Sequence, residues 1–295
     1  MNVLLLGGNG QVGHELRRSL APLGSLVVTT RDGGLSDGSA CEALDLAEPD
    51  AVEVLIERLA PDVVVNATAY TAVDRAEDEA DLAFAINAEA PGRIARACAG
   101  RGAVMIHFST DYVFDGNGSQ PYRESDPTAP LGVYGRSKLA GEQAVAASGA
   151  RHLILRTAWV YGLHGANFLR TMLRLGAERD ELRVVADQVG SPTPAWLIAD
   201  ITAAILRQGV ADSGVRHLVS AGQTSWHGFS EAIFAEAVGR GVIGRLPRVL
   251  PITTAEYPTP ASRPAWSVLD PGRLATEYGV DIPHWRHALA TTFDR

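Results

Sequence analysis

Up to about Trp159 the chain alternates two kinds of apolar pattern. Short, continuously apolar runs of aliphatic and β-branched residues occupy Asn2–Leu6, Ser25–Thr30, Asp62–Asn66, Ala103–Phe108 and His152–Arg156. Between them, apolar residues recur at helical spacing over Gln11–Ala21, Asp50–Leu59 (led by Pro49), Glu77–Ala99 and Tyr134–Ala147. A strand that is apolar on both faces has to be covered on both faces, and strands separated by helices pair in parallel through right-handed crossovers. The pattern predicts an α/β fold: a Rossmann-type doubly wound parallel sheet.

Beyond Trp159 the regularity loosens. Helices are expected over Asn167–Glu178, Pro194–Gln208 and Ser225–Val238, with an isolated strand near Leu182–Ala186 and another near His217–Ser220. The segment Arg245–Pro264 carries five prolines and reads as an irregular but structured connection. No internal repeat or low-complexity tract interrupts the chain. The division expected is a Rossmann domain over residues 1–160, with returning segments near 195–220, and a smaller C-terminal substrate lobe over 161–194 and 221–295.

Composition narrows the partners. The hydrophobic fraction of 46% and charged fraction of 20% are those of an ordinary globular enzyme. The formal net charge is −8 and the basic residues are scattered, which argues against a nucleic-acid partner. Cys41 and Cys98 have no metal-type or redox-type spacing and read as small apolar fillers, as in a reducing compartment. The opening MNVLLLGG lacks a basic segment and its apolar run is too short for a secretory signal. No run of roughly 18 apolar residues occurs, so no membrane span is expected and the chain reads as cytoplasmic.

Chemistry enters first at the end of the opening strand. Leu6 runs into Gly7-Gly8-Asn9-Gly10-Gln11-Val12-Gly13, and a helix follows. Glycine serves such a turn by leaving the strand sharply, admitting a pyrophosphate against the backbone, and letting helix and strand pack closely. The helix N-terminus then offers free N–H groups and the positive end of its dipole. The strand-turn-helix context makes Gly7, Asn9, Gly10, Gln11, Val12 and Gly13 candidates for holding a dinucleotide. At the end of the second strand Arg31 and Asp32 stand together, one suited to the 2′-phosphate of NADP and the other to the ribose of NAD. Arg31 comes first and can stack over adenine, which favours NADPH and leaves NADH open.

A second constellation opens the helix after the fourth strand. Tyr134 and Lys138 lie four residues apart, on one helical face. Tyrosine is a weak acid with a free pKa of about 10, and a neighbouring ammonium lowers it toward a useful range. The lysine can also hold the nicotinamide ribose. The fourth strand runs into Ser109-Thr110-Asp111-Tyr112, so Thr110 sits at the ligand-binding edge of the sheet, able to donate to a substrate carbonyl. Asn87, in the preceding helix, is a candidate anchor for a proton-relay water.

These segments, with Asn66-Ala67-Thr68-Ala69-Tyr70-Thr71-Ala72-Val73-Asp74, Ser109-Thr110-Asp111-Tyr112-Val113-Phe114-Asp115-Gly116 and Val133-Tyr134-Gly135-x-x-Lys138-x-Ala140-Gly141-Glu142, resemble the dTDP-4-dehydrorhamnose reductase family. So do Arg156-Thr157-Ala158-Trp159-Val160-Tyr161-Gly162, Asp187-Gln188-x-Gly190-x-Pro192-Thr193 and Arg263-Pro264-x-x-Ser267-x-Leu269. The resemblance covers nearly the whole length. It implies reduction of a 4-keto nucleotide sugar, with Thr110, Tyr134 and Lys138 as the catalytic trio. It further implies that Thr71, Val73, Asp111, Tyr112 and Trp159 line the sugar side and that Thr157 lies at the nicotinamide carboxamide. Asp45 and Leu46 would flank adenine, and Ala67, Thr68 and Ala69 would run along the cofactor.

Two departures from the family bear on assembly and specificity. Some members are thought to dimerise through a metal held by glutamates; Glu15 is present, but Trp196 stands at the second position and no glutamate follows Glu277. The expectation is therefore a monomer or weak homodimer with no metal site. Trp266 replaces a small polar residue, to stack on thymine or to plug the lobe interface. His284 and His287 share a helix face, which reads as a solvated face. Two other functions use the same fold: an NAD-dependent sugar-nucleotide epimerase or dehydratase, and a non-catalytic NADP-binding regulatory subunit of methionine adenosyltransferase type. Dehydratases usually carry an acidic pair after the catalytic threonine, where this chain has only Asp111.

Overall fold

The computed structural model describes residues 1–48 and 50–295; the expected lead-in of the second helix at Pro49 lies outside the described residues. The chain begins with β1 (Asn2–Leu6), α1 (Gln11–Leu20), β2 (Ser25–Thr30), a short β3 (Glu42–Ala43), α2 (Ala51–Leu59) and β4 (Val63–Asn66). It continues through α3 (Ala80–Phe84), α4 (Ala90–Arg101), β5 (Val104–Thr110), α5 (Val133–Ala146) and β6 (Arg151–Thr157). Then follow β7 (Val160–Tyr161), α6 (Phe168–Glu178), β8 (Glu181–Val185), β9 (Val189–Gly190), β10 (Thr193–Pro194) and α7 (Ala195–Gln208). The last elements are β11 (Gly214–His217), β12 (Thr224–Ser225), α8 (Trp226–Gly239), β13 (Arg248–Ile252), α9 (Gly272–Tyr278) and α10 (Trp285–Phe293).

Seven strands form one parallel sheet in the order β11-β6-β5-β4-β1-β2-β3. Alternation along each strand divides its side chains between two cores. Val3, Leu5, Val63, Val65, Ile106, Leu153 and Leu155 pack with Leu16 and Leu20 of α1, Ile198 and Leu206 of α7, and Leu274 of α9. Leu4, Leu6, Val64, Met105 and Ile154 pack on the other face with Leu55 and Ile56 of α2, Ile94 and Cys98 of α4, and Val145 of α5. The period of two along a strand is what requires a helical layer on each side. Chain order reverses between β1 and β4, the place where a doubly wound sheet opens a crevice at its carboxyl edge.

Three expectations about elements need correction. The long helix expected over Glu77–Ala99 is built in pieces: a 3₁₀ turn at Arg75–Glu77, α3, a π turn at Ala85–Glu89, and α4. Pro91 follows directly on the π turn, inside the continuous helical run, where its missing N–H frees a carbonyl of the preceding turn. The π turn brings the Asn87 carbonyl so close to α5 that a Cβ on Gly141 would sit 2.0 Å from it. The strand expected near His217–Ser220 lies earlier, as β11, and joins the main sheet beside β6.

The segment Arg245–Pro264 is not wholly irregular. It contains β13, which pairs in parallel with β8, so the strand expected to be isolated has a partner. Pro251 is tolerated because each strand of this two-stranded sheet has a free edge. Around that pair a separate apolar cluster joins Leu182 and Val184 to Leu169 and Met172 of α6, Phe229, Ile233 and Phe234 of α8, and Trp285 of α10. Among the described residues no helix is long and apolar enough to cross a membrane.

Candidate active site

The candidates gather at one edge of the sheet because all seven strands run the same way. Gly7 follows β1, Arg31 follows β2, Ala67 follows β4, and Thr110 and Thr157 end β5 and β6 as directly facing register partners. At the glycine turn, Gly7 has φ +87°, a left-handed conformation that favours glycine. A Cβ on Gly13 would lie 2.0 Å from the Gly7 carbonyl oxygen, so α1 can approach the turn only because nothing is there. Gly10 caps α1 without a side chain, which leaves the first-turn N–H groups of Gln11, Val12 and Gly13 for a ligand. Gln11 adds a buried Oε1 with no partner.

Other cofactor-side candidates are held by their neighbours. Asn9 is spent on the adjoining loop: its Nδ2 donates to the Gly34 carbonyl at 2.8 Å and its Oδ1 accepts from Ser36 N at 2.9 Å. Arg31 is exposed, in a shallow hollow shared with Glu42, Leu44, Asp45 and Arg58. Asp32 turns back on its own loop, where hydrogen bonds from Thr30 and Gly34 hold its carboxyl below the usual range. Asp45 caps the Ala47 N–H at 2.9 Å, and Arg93 pins the Leu46 and Glu48 carbonyls. Along the loop after β4, Ala67 N–H donates to the Leu6 carbonyl at 3.0 Å, and Thr68 donates through N–H and hydroxyl to the buried Asn66. Ala69 follows, half-buried. Thr157 is buried, with a hydroxyl that finds no partner in the protein.

The catalytic candidates occupy β5 and α5. Thr110 accepts from Tyr112 N–H at 3.2 Å and donates its one hydroxyl proton to Asp111 Oδ1 at 3.0 Å. Burial pushes the Tyr134 phenol up to about 12, with the neighbouring Thr110 hydroxyl acting against it. Lys138 is 2% exposed and donates to the Phe108 carbonyl at 2.7 Å. Burial draws this ammonium down to about 8, against the pull of Glu142. A buried ammonium needs an acceptor, the carbonyl of β5 supplies one, and desolvation governs the phenol.

The Asn87 side chain is engaged within the protein. Its Oδ1 accepts from Tyr70 N–H at 2.9 Å, and its two amide hydrogens go to the Tyr70 carbonyl and to Ser137 Oγ, each at 3.0 Å. The side chain that was expected to anchor a water instead ties the loop after β4 to α5.

On the substrate side, Asp111 is buried, its Oδ2 has no hydrogen-bond partner, and burial raises it to about 6. Tyr112 meets Tyr134 edge-on, ring centroids 5.5 Å apart, and burial raises its phenol. Thr71 is exposed and Val73 half-buried on the loop that precedes Asp74. Trp159 has φ +48°, a strained conformation for a bulky residue, and stacks on Trp226 with centroids 3.5 Å apart. Trp266 plugs: its indole N–H donates to the Gln120 carbonyl at 2.9 Å and its ring fills the space beside Gly118. Trp196 bonds Thr292 at 2.9 Å and lies under the Arg295 guanidinium, while Glu15 faces Arg18. His284 caps α10 through Arg286 N–H at 3.3 Å.

The comparisons with known proteins concern the chain as a whole. The family model described as RmlD substrate binding domain matches residues 1–295. The dTDP-4-dehydrorhamnose reductase of Burkholderia thailandensis is 50% identical over 300 residues, covering 98% of this chain and 97% of its own. The chain belongs to the dTDP-4-dehydrorhamnose reductase family. Its fold superposes on the crystal structure of the Clostridium acetobutylicum dTDP-4-dehydrorhamnose reductase with a TM-score of 0.90, at 37% identity and covering 100% and 99% of the two chains. The Bacillus anthracis reductase, solved in complex with NADP, gives a TM-score of 0.89 at 34% identity, covering 99% and 98%.

Sequence reasoning missed the supports of this family site. Glu142 accepts from Ser109 Oγ at 2.5 Å and from Arg156 at 2.9 and 2.7 Å, in an ion pair 5% exposed on each side. Arg263 pairs with Asp74 at 2.8 Å, tying the proline-rich segment to the loop after β4. One signal was legible but unread. Of the 26 lysines and arginines, Lys138 is the only lysine.

Proposed function

We propose that this chain reduces the 4-keto group of dTDP-4-dehydro-L-rhamnose to the hydroxyl of dTDP-L-rhamnose, with NADPH as reductant. The observation that carries the reading is the placement of Thr110, Tyr134 and Lys138 at one sheet edge, in a chain matched end to end by reductases. The residues fit the cofactor. A Cβ-free cradle and uncapped helix N-terminus suit the pyrophosphate, the unpartnered Thr157 hydroxyl and Gln11 Oε1 suit amide and hydroxyl groups, and exposed Arg31 suits the 2′-phosphate. Asp45, Leu46, Ala67, Thr68 and Ala69 line the rest of its path.

When bound, NADPH supplies the hydride that adds to the carbonyl carbon. Tyr134 gives its proton to the carbonyl oxygen and is left as phenolate; the Lys138 ammonium stabilises that anion until solvent reprotonates it. Thr110 releases Asp111 to donate to the same oxygen, and the buried walls keep water from competing. Thr71, Val73, Asp111, Tyr112 and Trp159 orient the sugar. The Rossmann domain spans 1–160 with the returning segments near 195–220, and the remainder forms the substrate lobe. The chain works in the cytoplasm, where its two unpaired cysteines stay reduced, as a monomer or weak homodimer without nucleic-acid or membrane partners.

The test is NADPH oxidation followed optically with dTDP-4-dehydro-L-rhamnose, beside NADH. Turnover with NADPH and formation of dTDP-L-rhamnose are expected. Silence with both cofactors, while NADPH still binds, would return the chain to the regulatory-subunit reading.

A further inference from the structure

Three consecutive residues of β5 meet three residues of α5 spaced four apart. The Phe108 carbonyl takes the Lys138 ammonium at 2.7 Å, Ser109 Oγ donates to Glu142 at 2.5 Å, and Thr110 meets Tyr134. Behind them Arg156, on β6, closes on both oxygens of Glu142 and lies 5.1 Å over the Phe114 ring. A carboxylate this deeply buried needs a paired charge and hydrogen bonds to offset its lost solvation, and Glu142 has both. It lies one helical turn beyond Lys138, near enough for the two charges to act on each other in a poorly screened interior.

We infer that Glu142, held by Ser109 and Arg156, is a positioning residue that keeps Lys138 protonated and α5 in register with β5. It touches neither substrate nor cofactor; it acts through Lys138, and the inference rests on Lys138 and Tyr134 being the reacting pair. The other titratable groups around the lysine leave this task to Glu142. His107, on β5, is fully buried and held neutral, burial pushing it well below its ordinary value. Arg156, on β6, is engaged with both oxygens of Glu142. Asp111 and Tyr112, on the turn after β5, lie toward Tyr134, and Glu77 caps the far end of α5 at Val133 N–H, 2.8 Å. With burial drawing Lys138 down to about 8, loss of its one opposing charge would leave a large share of the amine neutral near pH 7.

The arrangement also accounts for a lysine in a chain that otherwise uses arginine. Only a side chain with a movable pKa can be tuned this way, whereas a guanidinium stays charged anywhere.

Because Lys138 is the sole lysine, labelling with [13C]lysine gives one side-chain Cε resonance whose titration reads this amine directly. Glu142→Gln alone strands a buried guanidinium, so the decisive variant is Glu142→Gln/Arg156→Gln, which removes both charges and keeps the packing. The Cε titration is expected near 8 in the parent and about one pH unit lower in the double variant, with Glu142→Asp between them. The alkaline limb of kcat/KM should move with it. A double-variant titration superimposed on the parent's would overturn the inference and leave the ion pair a purely structural one. Full turnover in Lys138→Met would instead overturn the catalytic assignment beneath it, whatever the titration shows.

Discussion

The two halves of the catalytic edge work by opposite means. At β1–α1 the machinery is backbone and empty space: an αL glycine, an uncapped helix start, and a Gly13 position with no room for a methyl group. At β5–α5 the proposed machinery is side chains, each held by a neighbour: Lys138 by the Phe108 carbonyl, Glu142 by Arg156, Thr110 by Asp111. A backbone cradle binds an anion without titrating, so it is indifferent to pH. A proton-transfer site has to hold ionisable groups out of water, and it carries that desolvation cost in the fold itself.

Variants can break this contrast in descending order of effect. Tyr134→Phe should lose about 10²–10⁴ in turnover, the usual size of a general-acid contribution, with NADPH affinity and Tm unchanged. Stopped or steady-state NADPH oxidation beside a fluorescence titration separates the two. Gly13→Ala should do the reverse. Its added carbon collides with the Gly7 carbonyl, costing roughly 1–3 kcal/mol by overpacking, and cofactor binding should weaken first. If Gly13→Ala bound NADPH normally, the cradle would not be the binding site.

Asp111 tests the stored cost. Its folded pKa lies above its unfolded one, about 6 against 3.8, so the stability it allows is complete below about 4 and lost as pH rises through 6. Asp111→Asn should therefore be more stable than the parent above pH 6, by about 2–3 kcal/mol at most, and equal to it near pH 4. Its KM for the sugar should rise. Thermal melts across that range read the first, and equal melting differences at both pH values would refute it. Smallest of all, Thr157→Val should leave stability nearly unchanged, because the hydroxyl bonds nothing in the protein. It should raise the KM for NADPH only several-fold, the worth of one hydrogen bond.

Much of the edge was legible because its signals are local. The glycine turn depends on spacing within seven residues, and Tyr134 and Lys138 share a face by helical period alone. The strand at β13 was not legible: five prolines in Arg245–Pro264 mask a short strand, and its partner β8 lies far back in the chain. The π turn was hidden for a related reason, since its apolar spacing differs from a continuous helix by a single residue. The hydrogen bonds that hold Asn87 and Lys138 were not legible either. Hydrogen-bond partners across Asn87–Tyr70 and Lys138–Phe108 depend on how separate elements dock.

By itself the sequence determined the parallel sheet, the glycine turn and the shared face of Tyr134 and Lys138, because strand alternation, glycine spacing and the Tyr-x-x-x-Lys step are properties of neighbouring residues. Only the tertiary structure decided their ionisation and support. Which charges are buried, and beside which partner, is set by the packing of α5 on β5 and β6. That packing pairs Glu142, one turn past the only lysine, with Arg156 and Ser109.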